Sequence, residues 1–248
     1  MWLLLLYLIL FVGFFVGGFL LVSNHVHHSK MEIHNEVAGF IYAVIGVIYA
    51  VLLAFVVVTV WDKYTIAEEN IDNEVSHVID IFRNADAFKG PVKEEIKSGC
   101  IKYLNDMVEY EWKAMENMQL SSEANESYKS LWKIHHNYTP ADEYEKLWYA
   151  ESVKELNLLA DARRFRIFSI DYNIHPFLWF VLFFGAFITI GFSYLFGTKN
   201  KLAHIIMIIC LSTSIGLILI LVNAYVHPFS GIIHLTPEPF IQALEQIK

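Results

Sequence analysis

Four stretches of the chain, Trp2–Val22, Val37–Trp61, Phe177–Phe196 and Leu202–Val226, are apolar and contain no Asp, Glu, Lys or Arg. Each holds about 20 residues or more, enough to cross a hydrocarbon core of roughly 30 Å as a helix. The first lacks a basic leader and a small-x-small cleavage site, so it is expected to be a retained span rather than a signal peptide. Between the second and third stretches the pattern changes. Tyr64, Ile71, Val75, Val78, Ile79 and Phe82 recur at helical spacing, and no proline or glycine falls between Thr59 and Asn84. The spacing predicts one unbroken helix from near Val37 to near Phe88, stopped at Lys89-Gly90-Pro91. A second helix is predicted over Val92–Met118, with Ile96, Cys100, Ile101, Leu104, Val108 and Trp112 on one side. Ser121–Ser127 reads as loop and Tyr128–His135 as a short helix. A further helix is predicted from a Thr139 cap with Pro140 in its first turn to near Arg166.

No alternating strand pattern occurs, so the fold class is all-α: four transmembrane helices with a helical insert between the second and third. The expected organisation is residues 1–61 as the first two spans, 62–175 as the insert, 176–227 as the last two spans, and 228–248 as a C-terminal segment. The ending HPFSGIIHLTPEPFIQALEQIK reads as an amphipathic anchor on the membrane surface. Four crossings place both termini and the insert on one side. Lys63, Arg163, Arg164 and Arg166 on that side outweigh Lys30, Lys199 and Lys201 on the other, which makes the insert cytoplasmic by the positive-inside rule.

Charge sharpens the division. The chain has 248 residues and is 56% hydrophobic, too apolar for a soluble domain of that length. Residues 62–175 contain 14 Lys and Arg against 22 Asp and Glu, a difference of −8 that equals the net charge of the whole chain. An acidic insert repels phosphate, so nucleic acid is not an expected partner. Cys100 and Cys210 form no metal or disulfide pattern, and no phosphate loop, nucleophile elbow or zinc-protease signature is present. No cofactor and no enzymatic activity are expected. The first hairpin carries His25, His27, His28 and His34, which as imidazoles can ligate zinc; the plainer reading is a polar turn.

One face of the second span carries Asn35, Gly39, Tyr42, Gly46, Tyr49, Leu53 and Val56 at roughly heptad spacing. Small and hydroxylated residues on one stripe have two readings. Either they let helices pack closely, or they line a pore in which Leu53 and Val56 form an apolar constriction. Intramembrane ionisable groups, which mark proton and ion paths, are nearly missing. His204 lies close enough to the start of the fourth span to reach the interface.

The run EVAGFIYAVIGVIYAVLLAFVVVTVW followed by a polar helix, Glu111-Trp112 in YEW, ARRFRIF, FLWFVLFFGAFITI and HPFSG, in that order from about Asn35 to Phe240, resembles the bestrophin-like membrane proteins of bacteria. Bestrophins are pentameric chloride channels with four spans per subunit and a helical cytoplasmic region between the second and third. Their second span lines the pore and forms a hydrophobic neck. The resemblance implies a homo-oligomeric channel for inorganic ions in the bacterial inner membrane, with Leu53 and Val56 standing where the neck stands. The alternative is a membrane-anchored scaffold or signalling protein whose acidic insert binds a protein partner.

Overall fold

The computed structural model describes residues 2–25, 32 and 34–247, and these form helices joined by short links, without strands. Four helices are long and apolar enough to cross a membrane: α1 (Trp2–His25), the first half of α2 (Asn35–Asn84), α7 (Pro176–Phe192) with the 3-10 turn Ser193–Leu195 that continues it, and α8 (Lys201–Val226). The insert adds α3 (Pro91–Asp106), a π-helical turn (Met107–Glu111), α4 (Trp112–Met115), α5 (Ser122–Asn137) and α6 (Glu143–Ile170), and the chain closes with α9 (Glu238–Ile247).

The chain divides into two compact units. One comprises residues 1–62 and 173–226, the other residues 63–172 and 227–248. Helix α2 belongs to both. Its second half leaves the apolar sequence without a break because it becomes core of the second unit, where Ala67, Ile71, Val75, Val78 and Ile81 are buried on one face. A chain of 50 helical residues with no proline or glycine in its polar half has no reason to bend there.

Several boundaries differ from those the sequence predicts, each for a local reason. Ser121–Ser127 is mostly helix, not loop. Ser121 caps α5 by accepting hydrogen bonds from the Glu123 and Ala124 amides, and Ala124 and Ser127 are buried despite their polar neighbourhood. The cap of α6 is Asp142, which accepts from the Glu145 amide, rather than Thr139, and the helix runs four residues past Arg166. The C-terminal helix α9 is not a free anchor. Its apolar face, Phe240, Ala243 and Leu244, is buried in the core of the helical unit, which consumes the amphipathic face that suggested a membrane surface. Close approach of α3 and α5 depends on Gly99, where an added Cβ would lie 2.9 Å from Leu131 Cδ2.

His135 in α5 is buried with both ring nitrogens engaged: Nδ1–H donates to the Leu131 carbonyl at 2.8 Å, and Nε2 accepts from the Ser152 hydroxyl at 2.9 Å. Burial lowers its pKa. The folded chain therefore holds the neutral ring, whereas the unfolded chain protonates near pH 6.5. Stability present above that pH falls as protons are taken up by the unfolded state. Asp142 and Glu145 extend the loss further into acid. A hydrogen bond from Lys89 holds Asp142 low, and one from Tyr138 holds Glu145 low. A thermal-unfolding series from pH 8 to pH 4 is expected to show a falling Tm that begins near pH 6.5, with the first step absent in His135→Gln.

Candidate functional site

Within the membrane unit, the polar stripe of the second span faces the subunit's own helices. Tyr49, Leu53 and Val56 are 5%, 4% and 6% exposed. The Tyr49 hydroxyl donates to the Leu182 carbonyl at 2.8 Å, and its ring lies where a Cβ on Gly185 would approach to 2.5 Å. Tyr42 stacks on Phe192 with ring centroids 5.8 Å apart and meets Phe196 edge-on at 5.5 Å. The Asn35 amide donates to the Gly197 carbonyl and accepts from the Gly197 amide, at 2.8 and 2.9 Å. Gly39 and Gly46 have open space around them. Most of the stripe thus makes the packing seam between α2 and the α7 region, as small and hydroxylated residues do between membrane helices.

Part of the same stripe also borders an open apolar groove of about 880 Å³ between α2 and α8, where Tyr42, Gly46, Tyr49 and Leu53 face Leu211, Ser214 and Ile215. The opposite face of α2 has no partner among the described residues: Val44, Ile48, Val51 and Phe55 are all exposed and lie outside the groove. At 100° per residue Phe55 lies 200° around the helix from Leu53, so the two cannot share a surface.

His204 does not reach for the interface. It is buried beside Phe19, ring centroids 4.4 Å apart, with Nε2 at 2.9 Å from the Ser193 carbonyl. Of the hairpin histidines, His27 and His28 lie outside the described residues. His25 donates Nδ1–H to the Leu21 carbonyl at 2.8 Å, and His34 is exposed. No cluster of three metal-ligating side chains occurs among the described residues.

The helical unit holds a charged cluster with no water-facing surface. Arg166 donates from Nε to Glu74 Oε2 at 2.6 Å and from Nη2 to Glu74 Oε1 at 3.2 Å, and reaches Glu111 Oε1 at 3.4 Å. Arg163 lies 3.7 Å from Glu111 and donates to the Tyr103 hydroxyl at 3.3 Å. Tyr103 in turn donates to Glu74, and Glu111 Oε2 accepts from the Ser121 amide at 2.7 Å. Burial opposes the charge on Arg166, but the Glu74 carboxylate outweighs it and the guanidinium pKa is raised. Burial, reinforced by Glu74, likewise drives the Tyr103 phenol upward.

The π turn explains why one edge of a helix can serve this cluster over three steps of four residues. Tyr103, Met107, Glu111 and Met115 are spaced by four, and each step of four advances 40° around an ordinary α-helix. The wider turn at Met107–Glu111 offsets part of that drift. All four side chains consequently meet the two arginines, Met107 and Met115 through their sulfurs. Sequence reasoning treated Arg163 and Arg166 as juxtamembrane surface charges, but both are buried. Without them the excess of basic residues that placed the insert in the cytoplasm disappears. The signal available was the i, i+4 ladder itself, two methionines, a tyrosine and a glutamate on one helix edge opposite an ARRFR segment.

With four membrane-crossing helices and this helical unit established, comparison with known proteins decides the family. The bestrophin-like domain model matches residues 9–240. The chain belongs to the bestrophin-like family. As a bestrophin-like protein with four spanning helices it is a multi-pass membrane protein. The crystal structure of a membrane protein aligns with it at a TM-score of 0.68 over 95% of this chain and 96% of that one, with 11% sequence identity, a likeness of fold. No curated protein sequence matches it.

Proposed function

We propose that this bestrophin-like protein is an oligomeric ion channel whose conducting path is lined by the second span. The observation that carries the reading is the two-sidedness of α2. One face is consumed inside the subunit, while the other, through Val44, Ile48, Val51 and Phe55, is apolar and unpartnered among the described residues. Copies related by cyclic symmetry bring identical helices around an axis. A ring of Val51 and Phe55 there makes a constriction that gates by dewetting. An outward apolar face also suits lipid; the likeness to bestrophins, whose second span lines a pore, favours the axis. The constriction accordingly moves from Leu53 and Val56, which fill the subunit interior, to the face behind them.

Two substitutions separate the faces. Phe55→Ala is expected to raise single-channel conductance severalfold with oligomer size unchanged. Leu53→Ala is expected to leave conductance within about twofold and to lower the thermal midpoint, because it empties a buried site. A conductance gain in Leu53→Ala with none in Phe55→Ala would return the pore to the polar stripe. The scaffold reading has one observation in its favour, the exposed Tyr144 and Leu147 one turn apart on α6, but it gives no account of a single helix shared by both units.

A further inference from the structure

A second cavity of the membrane unit, about 380 Å³, lies between α1, α7 and α8 and has no part in the proposed pore. Its volume is within the roughly 300–1,000 Å³ range of small-molecule sites. Its walls are long apolar side chains, Leu8 and Phe11 of α1 and Phe183 of α7 among them, and its polar groups are Tyr7, Trp179 and Asn223. These three are not scattered. Tyr7 lies five residues inside α1, Trp179 three residues inside α7, and Asn223 three residues before the end of α8. Four crossings put those three helix ends at one face of the bilayer, so the donors sit within about 8 Å of that end at 1.5 Å per residue. The cavity runs from them toward Gly216, seven residues deeper on α8.

None of the three side chains forms a hydrogen bond among the described residues. An unpaired amide at the edge of hydrocarbon is costly, and Trp and Tyr favour the layer where acyl chains meet head groups. A protein helix is a poor occupant. Helix-on-helix seams in membranes use small residues, whereas the cavity's walls are leucine and phenylalanine. The one small residue, Gly216, is already used to admit Leu8, which a Cβ would meet at 2.8 Å.

We propose that this cavity is a binding site for one bilayer glycerophospholipid. An acyl chain occupies the apolar channel, and the ester carbonyls accept hydrogen bonds from Asn223 Nδ2, the Tyr7 hydroxyl and the Trp179 indole N–H. With no Lys or Arg among its lining residues, the site selects the glycerol ester region rather than the charge of the head group. Gly216 fixes the depth of the channel by bringing α1 against α8.

The test uses the full chain in detergent, titrated with a phospholipid brominated on its acyl chains, which quenches tryptophan on contact. The expected result is a saturable quenching component with a stoichiometry of about one lipid per chain, absent in Trp179→Phe. Asn223→Leu, an apolar change at a membrane-facing position, should raise the half-saturation concentration about fivefold to tenfold, the scale of one hydrogen bond. Tyr7→Phe reads the same prediction at a second donor, should Asn223→Leu fail to fold. A saturable component that persists in Trp179→Phe, or binding unaltered in both donor variants, overturns the proposal. So does quenching that never saturates, the result expected if a neighbouring copy fills the cavity.

Discussion

Arg166→Ala is expected to destabilise the protein by about 3–5 kcal/mol, the scale found when one partner of a buried ion pair is removed. The reason lies less in the lost attraction than in what remains. Glu74 and Glu111 are both fully buried, and without the guanidinium two carboxylates stay in a low-dielectric core with only Tyr103, Arg163 and the Ser121 amide to satisfy them. Removing charge from both sides should hurt less than removing it from one. The double variant Arg166→Met, Glu74→Leu is therefore expected to unfold at a higher temperature than Arg166→Met alone. Thermal unfolding of the four proteins in one detergent, followed by near-UV circular dichroism, closes the cycle. Strictly additive losses would mean that Arg166 and Glu74 are not coupled.

Trp112→Ala is expected to cost about 3–5 kcal/mol, the usual range for emptying a large aromatic site in a core. Trp112 is 4% exposed. Its ring packs edge-on against Phe229 at 5.8 Å and Phe240 at 5.7 Å, and its indole N–H donates to the Leu235 carbonyl at 3.3 Å. All three partners come from the C-terminal segment, so the loss should have a local signature. Residues 227–248 should become sensitive to protease before the rest of the chain does. A variant with an unchanged melting temperature and an intact C-terminus would contradict the packing described.

The same residue shows which parts of the protein its sequence discloses. Burial of Trp112 follows from its place in the apolar periodicity of Ile96, Cys100, Leu104 and Val108, and the continuity of α2 follows from the lack of any helix breaker. Composition alone separates the four spans from the acidic insert, because twenty uncharged residues have few soluble alternatives. What periodicity conceals is which neighbour covers each face. The amphipathic C-terminal helix carries the same pattern whether it lies on lipid or on Trp112. Arg163 and Arg166 look like surface charge until Glu111 is brought opposite both and Glu74, from a helix about 90 residues earlier, opposite Arg166. The stripe from Asn35 to Val56 likewise displays small and hydroxylated residues, and those suit a packing seam and a pore wall equally. Only the partners Leu182, Gly185, Phe192 and Gly197 assign it to packing within the subunit.

Conduction by the purified protein is the most direct test of a pore along the second span. Its measurement is the current across a planar bilayer containing the protein, with unequal KCl concentrations on the two sides. Discrete unitary currents, enlarged in Phe55→Ala, are the predicted result, and the sign of the reversal potential then names the permeant ion. Silence from protein shown to be folded and oligomeric, persisting in Phe55→Ala where the apolar ring has been opened, would contradict a pore along the second span.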